Sequence, residues 1–118
     1  METENTEPII TETNFTKYAR VPEDSVIKDR DMHADRNDNW SFIEITVSDP
    51  NAQKARFRIN PHINHALAIN NSLDRLENAF DFPRTANKAT NIVNQSDGEL
   101  VRVPQGWRIE KRAKITLQ

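Results

Sequence analysis

The chain contains no cysteine, only two glycines and no long apolar run, and each of these absences excludes a class of protein. Without cysteine there is no disulfide scaffold and no thiolate zinc site. Two glycines do not suffice for the glycine-rich loops that hold nucleotide phosphates. No run approaches the ~18 apolar residues of a membrane-spanning helix, and the acidic and polar residues at positions 1–4 are not typical of a signal peptide. We therefore expect a cytoplasmic protein without a membrane segment.

Charged residues are abundant, at 29% of the 118 positions, and their two signs are unevenly distributed. Residues 1–51 hold twelve acids and five bases, a net charge of −7, whereas residues 52–118 hold six acids and eleven bases, a net charge of +5. This asymmetry is typical of a polyanion-binding region with an acidic arm. The alternative is that the acidic and basic halves neutralise each other within one fold. The Glu- and Thr-rich residues 1–14 are predicted to form a flexible acidic arm, and residues 15–118 a single α+β domain.

Two pairs of alternating segments predict β-hairpins. Residues 43–47 and 54–59 alternate apolar and polar side chains on either side of a polar turn, as half-buried strands do. A second hairpin is predicted over residues 101–117, about a turn at residues 104–106. Lys111 interrupts the apolar set of this second hairpin, which indicates either a β-bulge or a fraying edge strand.

The segment between the two predicted hairpins has apolar residues at helical spacing. Asn60 and Pro61 form a helix start, because Asn caps free amides and Pro fits the first helical position. The apolar residues that follow recur every three or four positions and predict a helix of about five turns; they are Ala66, Ile69, Leu73, Leu76 and Phe80. A second helical stripe comprises Phe82, Ala86, Ala89 and Val93. The predicted order is β-β-α-α-β-β, an α+β fold in which an antiparallel sheet of about four strands packs on two helices.

Motifs for catalysis are lacking. His62 and His65 are three positions apart on the predicted helix, close enough to share a metal ion. A third ligand would have to come from His33 or Asp35, and the spacing of the HExxH motif is absent, so ordinary surface histidines are the better interpretation. There is no nucleophile elbow. We therefore predict a protein that is not an enzyme and has no cofactor or metal.

The strand parity predicts a basic sheet face. Cations at alternate strand positions would all lie opposite the apolar side, and two aromatic residues of the first strand share that parity. Basic side chains neutralise phosphates and aromatic rings stack on unpaired bases, so this face is a candidate for binding DNA or RNA. The predicted site consists of Lys54, Arg56, Arg58, Arg102, Arg108, Arg112, Lys114, Trp40 and Phe42.

A second nucleic-acid hypothesis uses the predicted second helix instead. Two helices followed by a hairpin resemble the winged helix-turn-helix of DNA-binding domains, which implies that the second helix enters the major groove. Asn suits adenine and Arg suits guanine in that groove. The residues on this helix face would be Arg84, Asn87, Lys88 and Asn91.

Residues 55–76, in which a strand runs through Asn60 and Pro61 into a helix, are similar to the strand–proline–helix junction of the single-strand-binding transcriptional coactivator family. That resemblance implies dimerisation through the helix, and no site residue is carried over from it. A competing class is a protein-binding or assembly subunit, since a thin core favours a homodimer or another protein partner. The overall expectation is a small regulatory nucleic-acid-binding protein, with protein–protein interaction as the alternative.

Overall fold

The computed structural model describes residues 15–48, 51–71, 73–83 and 89–118. These residues form nine strands, two short α-helices and one turn of 3-10 helix at Asp29–Asp31. The strands are β1 Phe15–Ala19, β2 Val26–Lys28, β3 Ile43–Val47, β4 Lys54–Ile59, β5 Phe80–Asp81, β6 Ile92–Ser96, β7 Gly98–Val103, β8 Gly106–Lys111 and β9 Ala113–Leu117. The helices are α1 His65–Asn71 and α2 Leu73–Leu76.

A curled six-stranded sheet dominates the fold. Its strand order is β1-β3-β4-β7-β8-β2, and every neighbouring pair is antiparallel. The predicted hairpin of β3 and β4 is confirmed, with Ile45 opposite Phe57 on the buried side and Glu44 opposite Arg58 on the exposed side. The two-residue alternation therefore sends one side chain of each pair into the core and the other to solvent.

The second predicted hairpin is also present, but it is longer than expected and bent. Its first strand runs through β6 and β7 with only Asp97 between them, and its second runs through β8 and β9 with only Arg112 between them. Both strands thereby pass from a three-stranded sheet, of order β5-β9-β6, into the six-stranded one. One register shift lies near Lys111, so the interruption of the apolar pattern there marks a β-bulge.

Close packing at this bend explains one of the two glycines. A Cβ on Gly98 would collide with the ring of Phe57 and would lie 2.7 Å from the backbone nitrogen of Ala113. Phe57 is itself fully buried and packs edge to face on Phe80, with ring centroids 5.8 Å apart. Glycine at position 98 thus lets the bent hairpin lie directly against the central aromatic residue of the core.

A side chain joins the two sheets where the backbone pairing of β4 ends. The amide of Asn94 in β6 accepts a hydrogen bond from the backbone nitrogen of Ile59 at 3.2 Å and donates one to the carbonyl of Ile59 at 3.3 Å. Ile59 is buried, so its peptide groups need partners inside the protein. Asn94 provides both partners at once.

The prediction of an α+β fold, in which about four strands pack on two helices, is wrong, because the described residues are mostly β-strand. The first helical region contains only the seven residues of α1 and the four of α2, and Phe80 lies in a strand. Four asparagines within residues 60–71 account for part of this, because Asn favours caps and turns over helix interiors. Asn60 accepts from the backbone nitrogen of His62, and Asn64 accepts from that of Leu67, so the helix begins later than predicted.

The second predicted helix is wrong over residues 92–96, which form β6. Ile92 is buried and Val93 is exposed, whereas the predicted helical stripe had placed Val93 on the apolar side. Residues 84–88 of that helix lie outside the described residues, as does the whole predicted arm of residues 1–14. No helix in the described part of the chain has both the length and the apolar character to cross a bilayer.

Candidate functional site

Most charged residues in the strands of the six-stranded sheet lie on its exposed side, which we name the outer face. The sequence KARFRI of β4 places three cations on this side because Ala55, Phe57 and Ile59 occupy the core positions between them. The strand register then adds cations from β8 and β2. The charged members of the outer face are Lys28, Glu44, Lys54, Arg56, Arg58, Glu99, Arg108, Glu110 and Lys111.

Two of the arginines on the outer face are engaged in ion pairs. The Nε of Arg58 lies 2.7 Å from an oxygen of Glu44, its cross-strand neighbour. Arg108 binds Glu110 with an N–O distance of 2.7 Å, at the bulge of β8. Ion pairs near the surface contribute little to stability, but each neutralises a cation.

Lys54 and Arg56 differ from those two arginines. Both side chains are exposed on β4, in the middle of the sheet, and neither forms an ion pair with another described residue. Six bases and three acids give the outer face a net charge of +3. Asp97, at the bend, contributes to a shallow depression of about 220 Å³ beside Arg56 and Arg58. The face therefore remains net positive, with its free charge centred on β4.

The placement predicted for Arg102 is wrong. Its register partner is the buried Trp107, so Arg102 lies on the opposite side of the sheet from Arg56. Parity in β7 is set by Gly98 and Leu100, which are buried, whereas the prediction had assigned the inner positions to the neighbouring valines.

Arg102 instead forms a structural clamp. Its Nη1 and Nη2 donate to the two carboxylate oxygens of Asp29 at 2.7 and 2.8 Å, and its guanidinium lies 5.2 Å from the ring centroid of Trp107. Hydrogen bonding to Asp29 raises the pKa of Arg102 above its ordinary value. The residue fastens the 3-10 helix to β7 and is not available to a ligand.

Two further predicted cations lie away from the outer face. Arg112 occupies the bend between β8 and β9, and its Nη1 donates to the carbonyl of Glu77 at 3.1 Å. Lys114 is exposed on β9, in the three-stranded sheet. The seven predicted cations are thus not one surface, and only Lys54, Arg56, Arg58 and Arg108 share the outer face.

Neither predicted aromatic residue lies on the outer face. Phe42 precedes β3 and is buried, with 7% of its surface exposed. Trp40 lies in a turn and is half-buried, with the guanidinium of Arg20 at 5.0 Å from its ring centroid and the imidazole of His33 edge-on at 5.4 Å. Tyr18 of β1, opposite Glu44, is the aromatic residue that the strand register places on this face in the described strands.

The alternative helix face lies almost entirely outside the described residues. Arg84, Asn87 and Lys88 belong to the stretch that the structure leaves undescribed. Asn91 is exposed and exchanges backbone hydrogen bonds with Gln118 just before β6, so it is not part of a recognition helix. The described residues do not assemble the winged helix-turn-helix.

Sequence reasoning missed Lys28 and Lys111 as members of the outer face. Lys28 belongs to a strand of three residues, too short to show alternation. Lys111 had the parity of the apolar set, and the bulge beside it moves the residue to the exposed side. The lone interruption at Lys111 was the signal that could have identified it.

The histidines do not converge. His62 is exposed, whereas the Nδ1 of His65 accepts a hydrogen bond from the backbone nitrogen of Ile92 at 2.9 Å. Within the described ranges, no group of three or more His, Asp or Glu side chains is arranged to hold a metal ion.

A groove lies where the two edges of the curled sheet approach each other. We name it the seam groove; it has a volume of about 550 Å³. Arg20, His33 and Trp40 line it beside β1, and Val26 and Lys28 line it from β2. The chain that leaves β2 crosses to β1, where His33 and Tyr18 exchange backbone hydrogen bonds of 2.7 and 2.8 Å.

None of the protein-family models, curated proteins or solved structures compared with the chain matches it. The functional assignment therefore depends on the geometry of the outer face and the seam groove.

Proposed function

We propose that the protein is a non-enzymatic accessory protein that binds the phosphate backbone of nucleic acid through the outer face. The observation that supports the proposal is the pair of exposed cations, Lys54 and Arg56, which have no ion-pair partner in the described structure and lie at the centre of a net positive sheet face. Cations that are already neutralised have little left to offer a polyanion. Glu99 is the register partner of Arg56, but neither Arg56 nor Lys54 forms an ion pair with a described residue, so both cations are available to phosphate.

The proposed mechanism is electrostatic. Each phosphate that a lysine or arginine neutralises releases bound counterions, so the affinity depends steeply on salt. Arg58 and Arg108 would contribute only by exchanging their carboxylate partners for phosphate. With the predicted rings of Trp40 and Phe42 absent from this face, the contacts there position a nucleic-acid strand without reading its sequence.

The test compares two cations of the same chain. Arg56→Gln removes a free cation from the outer face, and Lys114→Gln removes an exposed cation from the three-stranded sheet. Binding of a fluorescein-labelled oligonucleotide is followed by fluorescence polarisation between low and moderate salt. We expect Arg56→Gln to weaken binding similarly for all sequences and to reduce the salt slope by about 1, because one phosphate contact is lost.

Lys114→Gln should leave both the affinity and the slope near those of the parent protein. Equal effects of the two substitutions would show that net charge, and not the outer face, governs binding. Salt-independent binding, or none, would overturn the proposal.

An acidic protein partner is the second candidate. Val26, Val101 and Val103 are half-buried on the outer face among its cations, and apolar area beside charge is a feature of protein interfaces. Sedimentation of the purified chain separates self-association from capture of another partner. A monomer that binds no oligonucleotide would favour an acidic protein partner, whereas a stable homodimer would indicate self-association instead.

A further inference from the structure

The seam groove is large enough for a ligand of its own and does not depend on the cations of β4. Its volume of about 550 Å³ lies within the range typical of small-molecule sites. It opens between the β1 and β2 edges, so a ligand there would contact side chains from both ends of the six-stranded sheet.

The charges in the seam groove are unequally satisfied. Of its acids, Glu23 lies 3.4 Å from Arg75, and Asp24 accepts a hydrogen bond from the backbone nitrogen of Val26 at 2.9 Å. Arg20 and Lys28 have no ion-pair partner in the part of the chain that the structure describes, and Asp31 is the remaining acid of the lining. Asp24 and Asp31 have no ion-pair partner among the described residues either, so the three bases and three acids of the lining balance. Arg20 and Lys28 are the cations of the groove that an anionic group could contact.

Trp40 adds a flat apolar surface to the seam groove. The indole is half-buried, Arg20 lies over its ring, and no described residue accepts a hydrogen bond from its ring nitrogen. An aromatic ring with a polar N–H beside free cations is suited to a planar ligand that carries an anionic group. A nucleotide has both parts.

The seam groove is also continuous with the outer face. Val26 is the register partner of Arg108, and Lys28 is opposite Gly106, so both residues of β2 belong to that face while they line the groove. A strand bound across β4, β7 and β8 would meet the groove at Lys28.

We infer that the seam groove receives one unpaired base, stacked on Trp40, together with its phosphate, from a single strand whose neighbouring phosphates lie on the outer face. This inference rests on the proposed function and adds to it a preference for single strands that carry bases. Arg20 and Lys28 neutralise the phosphate of the inserted nucleotide.

The experiment uses the full chain with two single-stranded DNA oligonucleotides of equal length, one of thymidines and one abasic, which has the same phosphates and no bases. Tryptophan emission is recorded during each titration. Trp107 is only 5% exposed, so quenching by bases reports on Trp40. We expect the thymidine strand to quench emission and the abasic strand to leave it unchanged.

Substitution of Trp40 gives a second readout. Trp40→Leu should weaken binding of the thymidine strand by about ten-fold, the loss expected for one stacked base, and leave the abasic strand unaffected. Trp40→Phe retains a ring and should restore most of the affinity. If Trp40→Leu does not fold, quenching of the unsubstituted protein by the thymidine strand still tests whether a base enters the seam groove.

The outcomes separate the two proposals. Salt-dependent binding of both strands with equal affinity and no quenching would overturn the seam groove as a base site and leave the outer face intact. A failure of both strands to bind would overturn both. Quenching by the thymidine strand that Arg56→Gln weakens and Trp40→Leu abolishes would support both.

Discussion

At the residue scale, the arginines of one small sheet perform two different tasks. Arg56 has no ion-pair partner among the described residues and remains a free charge on the outer face. Arg102, which has the same parity pattern in the sequence, donates through its two terminal guanidinium nitrogens to Asp29 and lies over Trp107. Alternation predicted the exposure of Arg56 because buried residues flank it. The same alternation was misleading for Arg102, because the flanking Val101 and Val103 are apolar but do not lie on the core side.

Arg102 should be sensitive to a substitution that preserves its charge. Arg102→Lys loses the two-pronged hydrogen bond and the planar contact with Trp107, and we expect it to reduce the free energy of unfolding by about 1 kcal/mol, since the site is partly exposed and screened. Urea unfolding followed by circular dichroism measures the change.

A double-mutant cycle with Asp29→Asn isolates the interaction of Arg102 and Asp29. The matched control is Arg56→Lys, whose stability should stay within about 0.5 kcal/mol of the parent protein. A coupling energy near zero would show that Arg102 does not clamp the 3-10 helix.

At the element scale, the strands that show two-residue alternation over five or more positions could be predicted, and the lengths of the helices could not. β3, β4 and the turn of the second hairpin follow directly from the sequence pattern. The apolar stripe from Ala66 to Phe80 has helical spacing, yet its last residue, Phe80, lies in β5 and not in a helix. β1 and β2 escaped prediction because their burial depends on partners far away in the sequence.

The junction between the sheets depends on one side chain. Asn94→Ala would leave the buried N–H and C=O of Ile59 without the partners that they have now, and we expect a loss of about 2 kcal/mol in the free energy of unfolding. Thermal and urea unfolding both measure this loss.

Asn91→Ala, three positions earlier, provides the control. Asn91 is exposed and its described contacts are made by its backbone, so this substitution should cost at most about 0.5 kcal/mol. Similar losses for the two variants would contradict the bridging role of Asn94.

At the scale of the whole molecule, the uneven charge of the sequence becomes a spatial pattern. The basic second half supplies β4, β7, β8 and β9, yet the cations predicted there divide between the outer face, the clamp at Arg102, the bend and the three-stranded sheet. Sequence parity could not reveal this division, because parity is defined within one strand and the bent hairpin carries each strand from one sheet into another. The candidate site is accordingly smaller than predicted and centred on β4.

The bent hairpin also has a kinetic consequence. Val26 pairs with Arg108, and Lys54 pairs with Val101, so the sheet closes only when segments distant in sequence have met. Chains dominated by such remote pairings refold slowly, in about milliseconds to seconds, since the entropy of closing large loops is lost before the contacts form. Stopped-flow refolding, monitored by the emission of Trp40 and Trp107, should therefore show its main phase in that range, and completion within microseconds would contradict this dependence on remote pairings.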